Sequence, residues 1–280
     1  MTPMIRSRAA GGAALVVLVV LLGGTAGHAQ RIFRGFYGSV APRFPTSSTF
    51  KGAFNFCRVL FRSNRREKRG WSTDYPGAEI NFSVRLAELT KTRVTWQPDG
   101  SDAEYVVVRL TDDALFQCPF VLMEDAGTAL FTEEDVVRFR EYLQKGGFVF
   151  VSDYWGERAR GQFDQQIGRV LPRSSYPIVD LPMEHPIWHT LFDITHLPQM
   201  PSIQSWRRTG GGNTDRGVAP GTQTARGIAD AKGRLMVVMV HDSDIPDGWE
   251  REAEDQEYFH RFSPDAYAVG INVVLYGMTH

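Results

Sequence analysis

Cysteine is scarce: Cys57 and Cys118 are the two in 280 residues. Neither lies near the start of the chain, which excludes a lipoprotein anchor. Charge of one sign is also lacking, with 31 Lys+Arg against 32 Asp+Glu. That balance excludes a polybasic nucleic-acid binder and an acidic disordered tail. Apolar runs long enough for a stable membrane span are missing as well. Residues 13–22 are ten apolar residues in a row, about 15 Å as a helix against a hydrocarbon core of roughly 30 Å. The 27 Gly and 15 Pro are ordinary usage, so no collagen-like or low-complexity architecture arises. What remains is a globular chain, 42% hydrophobic, long enough for one large α/β domain.

The first 29 residues predict export. Arg6 and Arg8 make a positive start, residues 13–22 an apolar core, and Gly27 and Ala29 offer small residues for cleavage after Ala29. Ser7 separates the two arginines, so this is not a twin-arginine signal. Residues 1–29 therefore read as a signal peptide for the periplasm, with an uncleaved membrane anchor as the alternative. Cleavage removes two arginines and no acid, leaving a mildly acidic chain with no implied nucleic-acid or membrane-surface partner. In an oxidising compartment Cys57 and Cys118 have two fates, a disulfide or two buried thiols, and both stay open.

Residues 30–51 have no sustained period and read as an extended arm; 52–280 read as a single domain. Residues 54–61 predict a strand. The basic loop after it, with Arg62, Arg65, Arg66, Lys68 and Arg69, suits solvent or an anionic ligand. A helix is expected over 76–90, capped by Thr73 or Asp74, with apolar sets Ile80/Val84/Ala87 and Phe82/Leu86/Leu89 that suit cover on two sides. Strands follow at 94–96, 105–110 and 120–123. Thr132 opens a clear helix, with Glu133, Glu134 and Asp135 at the positive end of its dipole, and Gly146 closes it. Residues 148–151, apolar without alternation, predict a fully buried strand. Beyond lie a helix over 161–170, a short helix near 187–191, and a Gly/Thr/Arg-rich excursion at 207–227, expected to be mobile. A hairpin of 225–230 with 234–240 and a helix from Pro264 to about residue 277 complete the chain. Strands alternating with helices predict an α/β fold: a three-layer sandwich around a mostly parallel sheet.

In such a sheet, ligands bind beyond the carboxyl ends of the strands. Three strand ends deliver polar and aromatic residues there: Trp71, Thr73, Asp74 and Tyr75; Ser152, Asp153, Tyr154 and Trp155; His241, Asp242, Asp244 and Trp249. Asp153, His241 and Asp242 are the candidate acid–base residues. Asp74, Asp153, His241, Asp242 and Asp244 could hold a divalent ion, though no particular metal or cofactor is indicated. Trp71, Tyr75, Tyr154, Trp155 and Trp249 suit a sugar face or a protein surface, or else packing. Arg85 is expected to pair with Glu88 on its helix, three residues apart on one face, buttressing the Asp74 turn and bordering the site. His185 and His189 have i, i+4 spacing but lack the Glu that a zincin places after the first histidine.

The run from Trp71 to Phe82, continuing through Arg85-Leu86 and Glu88-Leu89-Thr90, resembles the signature of an uncharacterised bacterial family, domain of unknown function 4159. The run from Gly146 to Asp153 is similar to it too. The resemblance spans roughly residues 52–280. It implies a flavodoxin-like sheet related to class I glutamine amidotransferase-like and ThuA-like folds, and brings no established activity. Amidotransferases need a cysteine nucleophile on a tight strand-to-helix turn. Neither cysteine is so placed, and Ser152 lacks the flanking glycines of a nucleophile elbow. The expectation is therefore a non-catalytic or degenerate domain that binds a small molecule or a protein partner in the periplasm. The alternative is a hydrolase or lyase using Asp153, His241 and Asp242.

Overall fold

The computed structural model describes residues 41–64 and 70–280. The expected signal peptide, the first half of the arm, and Arg65, Arg66, Lys68 and Arg69 of the basic loop lie outside the described residues. Five strands run parallel: β1 (Phe56–Leu60), β3 (Tyr105–Arg109), β4 (Val121–Glu124), β6 (Val149–Ser152) and β9 (Leu235–His241). The antiparallel β8 (Thr224–Ala229) and β7 (Val179–Asp180) extend one edge, giving the order β3-β1-β4-β6-β9-β8-β7. A separate two-stranded piece joins β2 (Arg62–Ser63) to β5 (Ala129–Leu130).

Period-two alternation decides which layer covers which face. Cys57 and Val59, Val121 and Met123, Val149 and Val151, Val237 and Met239 share one core cluster. Phe139 and Leu143 of α2 (Glu133–Gln144) and Phe163 and Ile167 of α3 (Gly156–Val170) belong to the same cluster. The alternate residues serve the opposite face. There Phe56 lies 5.5 Å from Phe82 of α1 (Gly77–Leu89), and Phe150 lies 6.4 Å from Trp249 of α5 (Asp247–Glu250). Phe148 meets Tyr276 of α6 (Gln256–Thr279) at 6.3 Å. Helices on both faces of a mostly parallel sheet make the three-layer sandwich expected from the alternation of elements. The parallel strands are largely apolar because both their faces are covered, with Arg58 inside β1 and Glu124 at the end of β4 as charged exceptions.

Helix α2 starts as the capping rule requires: Thr132 accepts from Asp135 N, and the Asp135 side chain accepts from Thr132 N. Other boundaries differ from the sequence reading, each through a partner distant in the chain. Helix α3 begins at Gly156, earlier than expected, because Asp242 from the end of β9 accepts Gly156 N at 2.7 Å. The last helix begins at Gln256 and carries Pro264 inside it; Asp255 caps it by accepting Glu257 N and Tyr258 N. Neither Thr73 nor Asp74 caps α1 through its side chain; Asp74 offers its carbonyl to Ala78 N at 3.1 Å. The expected strand at 94–96 is reduced to isolated bridges, Phe54 with Val94 and Trp96 with Ala103. Within 207–227 lie the end of a further helix, α4 (Ile203–Thr209), and the start of β8. The loop between them is tied down, with Ser202 donating to Asp215 at 2.5 Å and Gly221 N to Gln199 at 2.9 Å.

Cys57 and Cys118 are joined by a disulfide, with Cα atoms 6.1 Å apart. Cys57 lies within β1 and Cys118 three residues before its neighbour β4, which is why they meet. Among the described residues no helix is long and apolar enough to cross a membrane.

Candidate functional site

Strands β4, β6 and β9 each run directly into an aspartate with left-handed backbone: Asp125 (φ 47°), Asp153 (φ 49°) and Asp242 (φ 55°). Asp74, ahead of α1, shares that conformation (φ 59°). The left-handed region disfavours a Cβ, and Asp tolerates it because its short carboxylate bonds locally. Such residues cost of order 1–3 kcal/mol each and gather at functional sites. The turns are laced together by Asp153 N donating to Ser243 O at 3.2 Å and Asp242 N to Tyr154 O at 3.1 Å.

The acidic side chains fall into separate groups. Deepest is Arg58 in the middle of β1, fully buried and paired with Glu79 of α1 and Glu124 of β4. Its Nη1 donates to Trp71 O at 3.0 Å and Thr73 O at 2.7 Å, so Arg58 also holds the turn that carries Asp74. Burial opposes the arginine's charge, but Glu124 and Glu79 outweigh it and keep it cationic. One guanidinium cannot balance two dry carboxylates. Burial pushes both glutamates up, Glu124 well above the usual carboxylate range.

Next to them, Asp125 and Asp153 share Arg216 from the loop between α4 and β8, at 3.0 Å and 3.5 Å. Asp153 also accepts Trp155 Nε1–H at 2.9 Å. Burial raises the Asp153 carboxyl to about 8, against the opposing pull of Arg216. A third group joins Asp74, Asp244 and Asp247, which present carboxylate oxygens all within 4.8 Å of one another. Asp247 accepts Ile203 N at 2.8 Å and the Tyr258 hydroxyl at 3.0 Å; burial lifts its carboxyl to about 7. His241 and Asp242 stand apart, 3.2 Å from each other, both turned to the start of α3. Burial lowers the histidine's pKa, so it is neutral at pH 7.

The family model described as Domain of unknown function (DUF4159) matches residues 56–278, from the first residue of β1 to the last turn of α6. The chain belongs to this family. No curated protein matches it.

In this DUF4159 domain the expected site residues are placed unequally. Asp74 and Asp244 come together, whereas the Asp153 side chain shares Arg216 with Asp125, and His241 pairs with Asp242. Tyr154, Trp155 and Trp249 are buried: Tyr154 belongs to the core cluster, Trp249 packs on Phe56, Phe82 and Phe150, and Trp155 donates to Asp153. Trp71 and Tyr75 are half-buried and touch each other, with ring centroids 5.4 Å apart. Arg85 pairs with Glu88 as expected, at 2.9 Å, and also donates to both carboxylate oxygens of Glu252, at 3.0 Å and 3.1 Å. His185 accepts Ile187 N, while His189 bonds Asp193 and Met183 O, so the two rings form no shared ligand site.

Arg58, Glu79, Glu124, Asp125, Arg216 and Asp247 escaped the sequence reading. Two of them were open to it. Glu124-Asp125 ends a strand just as Ser152-Asp153 does, and Arg58 is a charge inside an otherwise apolar strand. Together the groups can hold a cation, bind a polar ligand through its donors, or carry a proton on Asp153.

Proposed function

We propose that this DUF4159 domain is an exported, ligand-binding member of the flavodoxin-like, class I amidotransferase-like folds that lacks their nucleophile chemistry. The observation that carries this reading is the state of the hydroxyl and thiol groups. Cys57 and Cys118 are consumed in their disulfide, and Ser152, at the β6 turn, donates its hydroxyl to Ser243 O and accepts Ile245 N. No thiolate or free serine is thereby offered at that turn. The flavodoxin-like relationship draws support from the order of the five parallel strands: numbered among themselves they run 2-1-3-4-5. A disulfide between β1 and the segment that leads into β4 favours an oxidising compartment and so export. Ligand recognition is assigned to the carboxylates, because the aromatic residues nearest them are largely spent on packing. A site so acidic suits a small polar molecule or a basic protein segment and does not suit a polyanion such as nucleic acid.

The test is thermal unfolding of the full chain against sugars, sugar acids, amines and nucleotides. A stabilising ligand whose effect disappears in Asp153→Asn supports the reading. Stabilisation that Asp153→Asn leaves intact places the ligand elsewhere. A second reading, a hydrolase or lyase, is favoured by Asp153 holding its proton near neutral pH. It requires that Asp153→Asn abolish turnover of the bound ligand while leaving binding and melting temperature unchanged.

A further inference from the structure

The opposite end of the sheet, where the strands begin, holds a cavity of about 410 Å³. Its apolar walls come from the lead-in to β1 (Phe50 and Phe54), from Pro119 two residues before β4, and from Met278 in the last turn of α6. That volume lies toward the lower end of small-molecule sites, which are mostly apolar with a few fixed polar groups. The walls are joined to one another. Phe54 N donates to Arg93 O at 2.8 Å and Thr95 N to Phe54 O at 2.9 Å, tying the lead-in of β1 to the chain that follows α1. The Cys57–Cys118 disulfide ties the start of β1 to the Pro119 wall. Walls so cross-linked give a ligand a preorganised surface.

Two polar residues mark the cavity. Asn55 is on its lining and only 5% exposed. Its Nδ2 donates to Ala53 O at 3.2 Å and Thr49 O at 3.4 Å. The amide therefore has one orientation, since turned over it would set Oδ1 against two carbonyls. Oδ1 is buried and accepts no hydrogen bond among the described residues. A buried acceptor without a donor is costly and calls for a partner. The second residue is Arg93, exposed at the rim. It is the charged residue of the lining, and among the described residues no carboxylate lines the cavity. The strand-end site is the reverse, crowded with carboxylates from β4, β6 and β9.

We propose that this cavity is a second ligand site, for a small amphipathic carboxylate with a hydroxyl or N–H donor at its far end. The donor goes inward to Asn55 Oδ1, and the apolar body lies on Phe50, Phe54, Pro119 and Met278. The carboxylate stays outward, where Arg93 pairs with it and water still reaches it. The site is independent of the strand-end carboxylates and takes ligands of the charge that those carboxylates repel.

The experiment is calorimetric titration of the full chain with para-hydroxyphenylacetate and para-hydroxybenzoate, accompanied by thermal unfolding. At least one of them is expected to saturate at one per chain and raise the melting temperature. Phenylacetate lacks the donor and tyramine replaces the carboxylate by an ammonium; each is expected to bind at least about tenfold more weakly. Arg93→Gln, at an exposed position, should erase the preference over tyramine without lowering the melting temperature of the free chain. Met278→Trp fills the cavity and should abolish binding, while Asp153→Asn, at the other end of the sheet, should leave it unchanged. No saturable binding of either hydroxy acid up to about 10 mM, far weaker than a micromolar site, overturns the proposal. So does phenylacetate or tyramine binding as tightly as the hydroxy acids, or binding that survives Met278→Trp. Binding lost in Asp153→Asn also overturns it, because the ligand then belongs to the strand-end site.

Discussion

Replacing Arg58 with Met should be among the most damaging single substitutions in this domain. Arg58 is wholly enclosed, pairs with Glu79 and Glu124, and gives two hydrogen bonds to the carbonyls of Trp71 and Thr73. Removing one partner of a buried ion pair costs about 3–5 kcal/mol, because the other charge is left in a dry site. Leaving a buried carbonyl without its donor adds about 1–3 kcal/mol. Protonation of the glutamates and relaxation of the turn at 71–74 recover part of this, so a net loss of about 5 kcal/mol is expected. For a domain of this size that corresponds to a fall in melting temperature of roughly 10–20 °C. Urea unfolding followed by tryptophan fluorescence measures it. The triple variant Arg58→Met/Glu79→Gln/Glu124→Gln separates charge from shape: with no carboxylate left to balance, it should recover more than half the loss. A loss under about 1 kcal/mol for Arg58→Met, or a triple variant no more stable than the single one, would refute the account of Arg58 as the counter-charge of this core.

Other consequences can be measured in the same way. Reducing the Cys57–Cys118 bond, which closes a sequence separation of 61 residues, should cost about 4 kcal/mol by the loop-entropy relation; two titratable thiols in the unreduced, denatured chain would disprove the bond. His241 is held neutral by burial, with Asp242 opposing and Arg160 and Arg226 reinforcing the shift. Its folded pKa therefore lies below the unfolded value of about 6.5, so its contribution to stability is complete above pH 6.5 and is lost as pH falls below it. The urea midpoint should drop less between pH 7 and pH 5 in His241→Gln than in the parent, and identical drops would remove His241 as the cause. Gly127 packs so closely on α3 that an added Cβ would sit 2.8 Å from Ala159 Cα. Gly127→Ala should cost about 1–3 kcal/mol, and a neutral result would mean that the short helical turn at Ala126–Thr128 can move away from α3.

The architecture was legible because its signals are local. The apolar runs around Val121, Val149 and Val237 belong to strands buried on both faces, and the Thr132 cap with its following acids is complete within four residues. What the sequence could not display are boundaries set by remote contacts. Helix α3 gains its first turn from Asp242, 86 residues away. Pro264 reads as a helix start because proline suits a first turn. The helix nevertheless begins at Gln256, where Asp255 caps it and Tyr258 reaches Pro201 O at 2.8 Å and Asp247 at 3.0 Å.

The site repeats the lesson at the level of chemistry. Met123-Glu124-Asp125, Val151-Ser152-Asp153 and Val240-His241-Asp242 share one order: an apolar residue, a polar residue and an aspartate. In each, the aspartate is the first residue beyond the strand and adopts left-handed backbone. The strand-end rule finds all three once every parallel strand is asked the same question, and asking it of β4 brings in Glu124 and Asp125. No such rule finds their counter-charges. Arg58 meets a glutamate 21 residues ahead on α1, and Arg216 reaches Asp125 across 91 residues. Nor does it distinguish Asp242, committed to the start of α3, from Asp244, two residues on, which faces Asp74 and Asp247. Which arginine meets which carboxylate is a property of the fold alone: Arg251 stands 3.5 Å from Asp247, just as Arg216 stands 3.5 Å from Asp153.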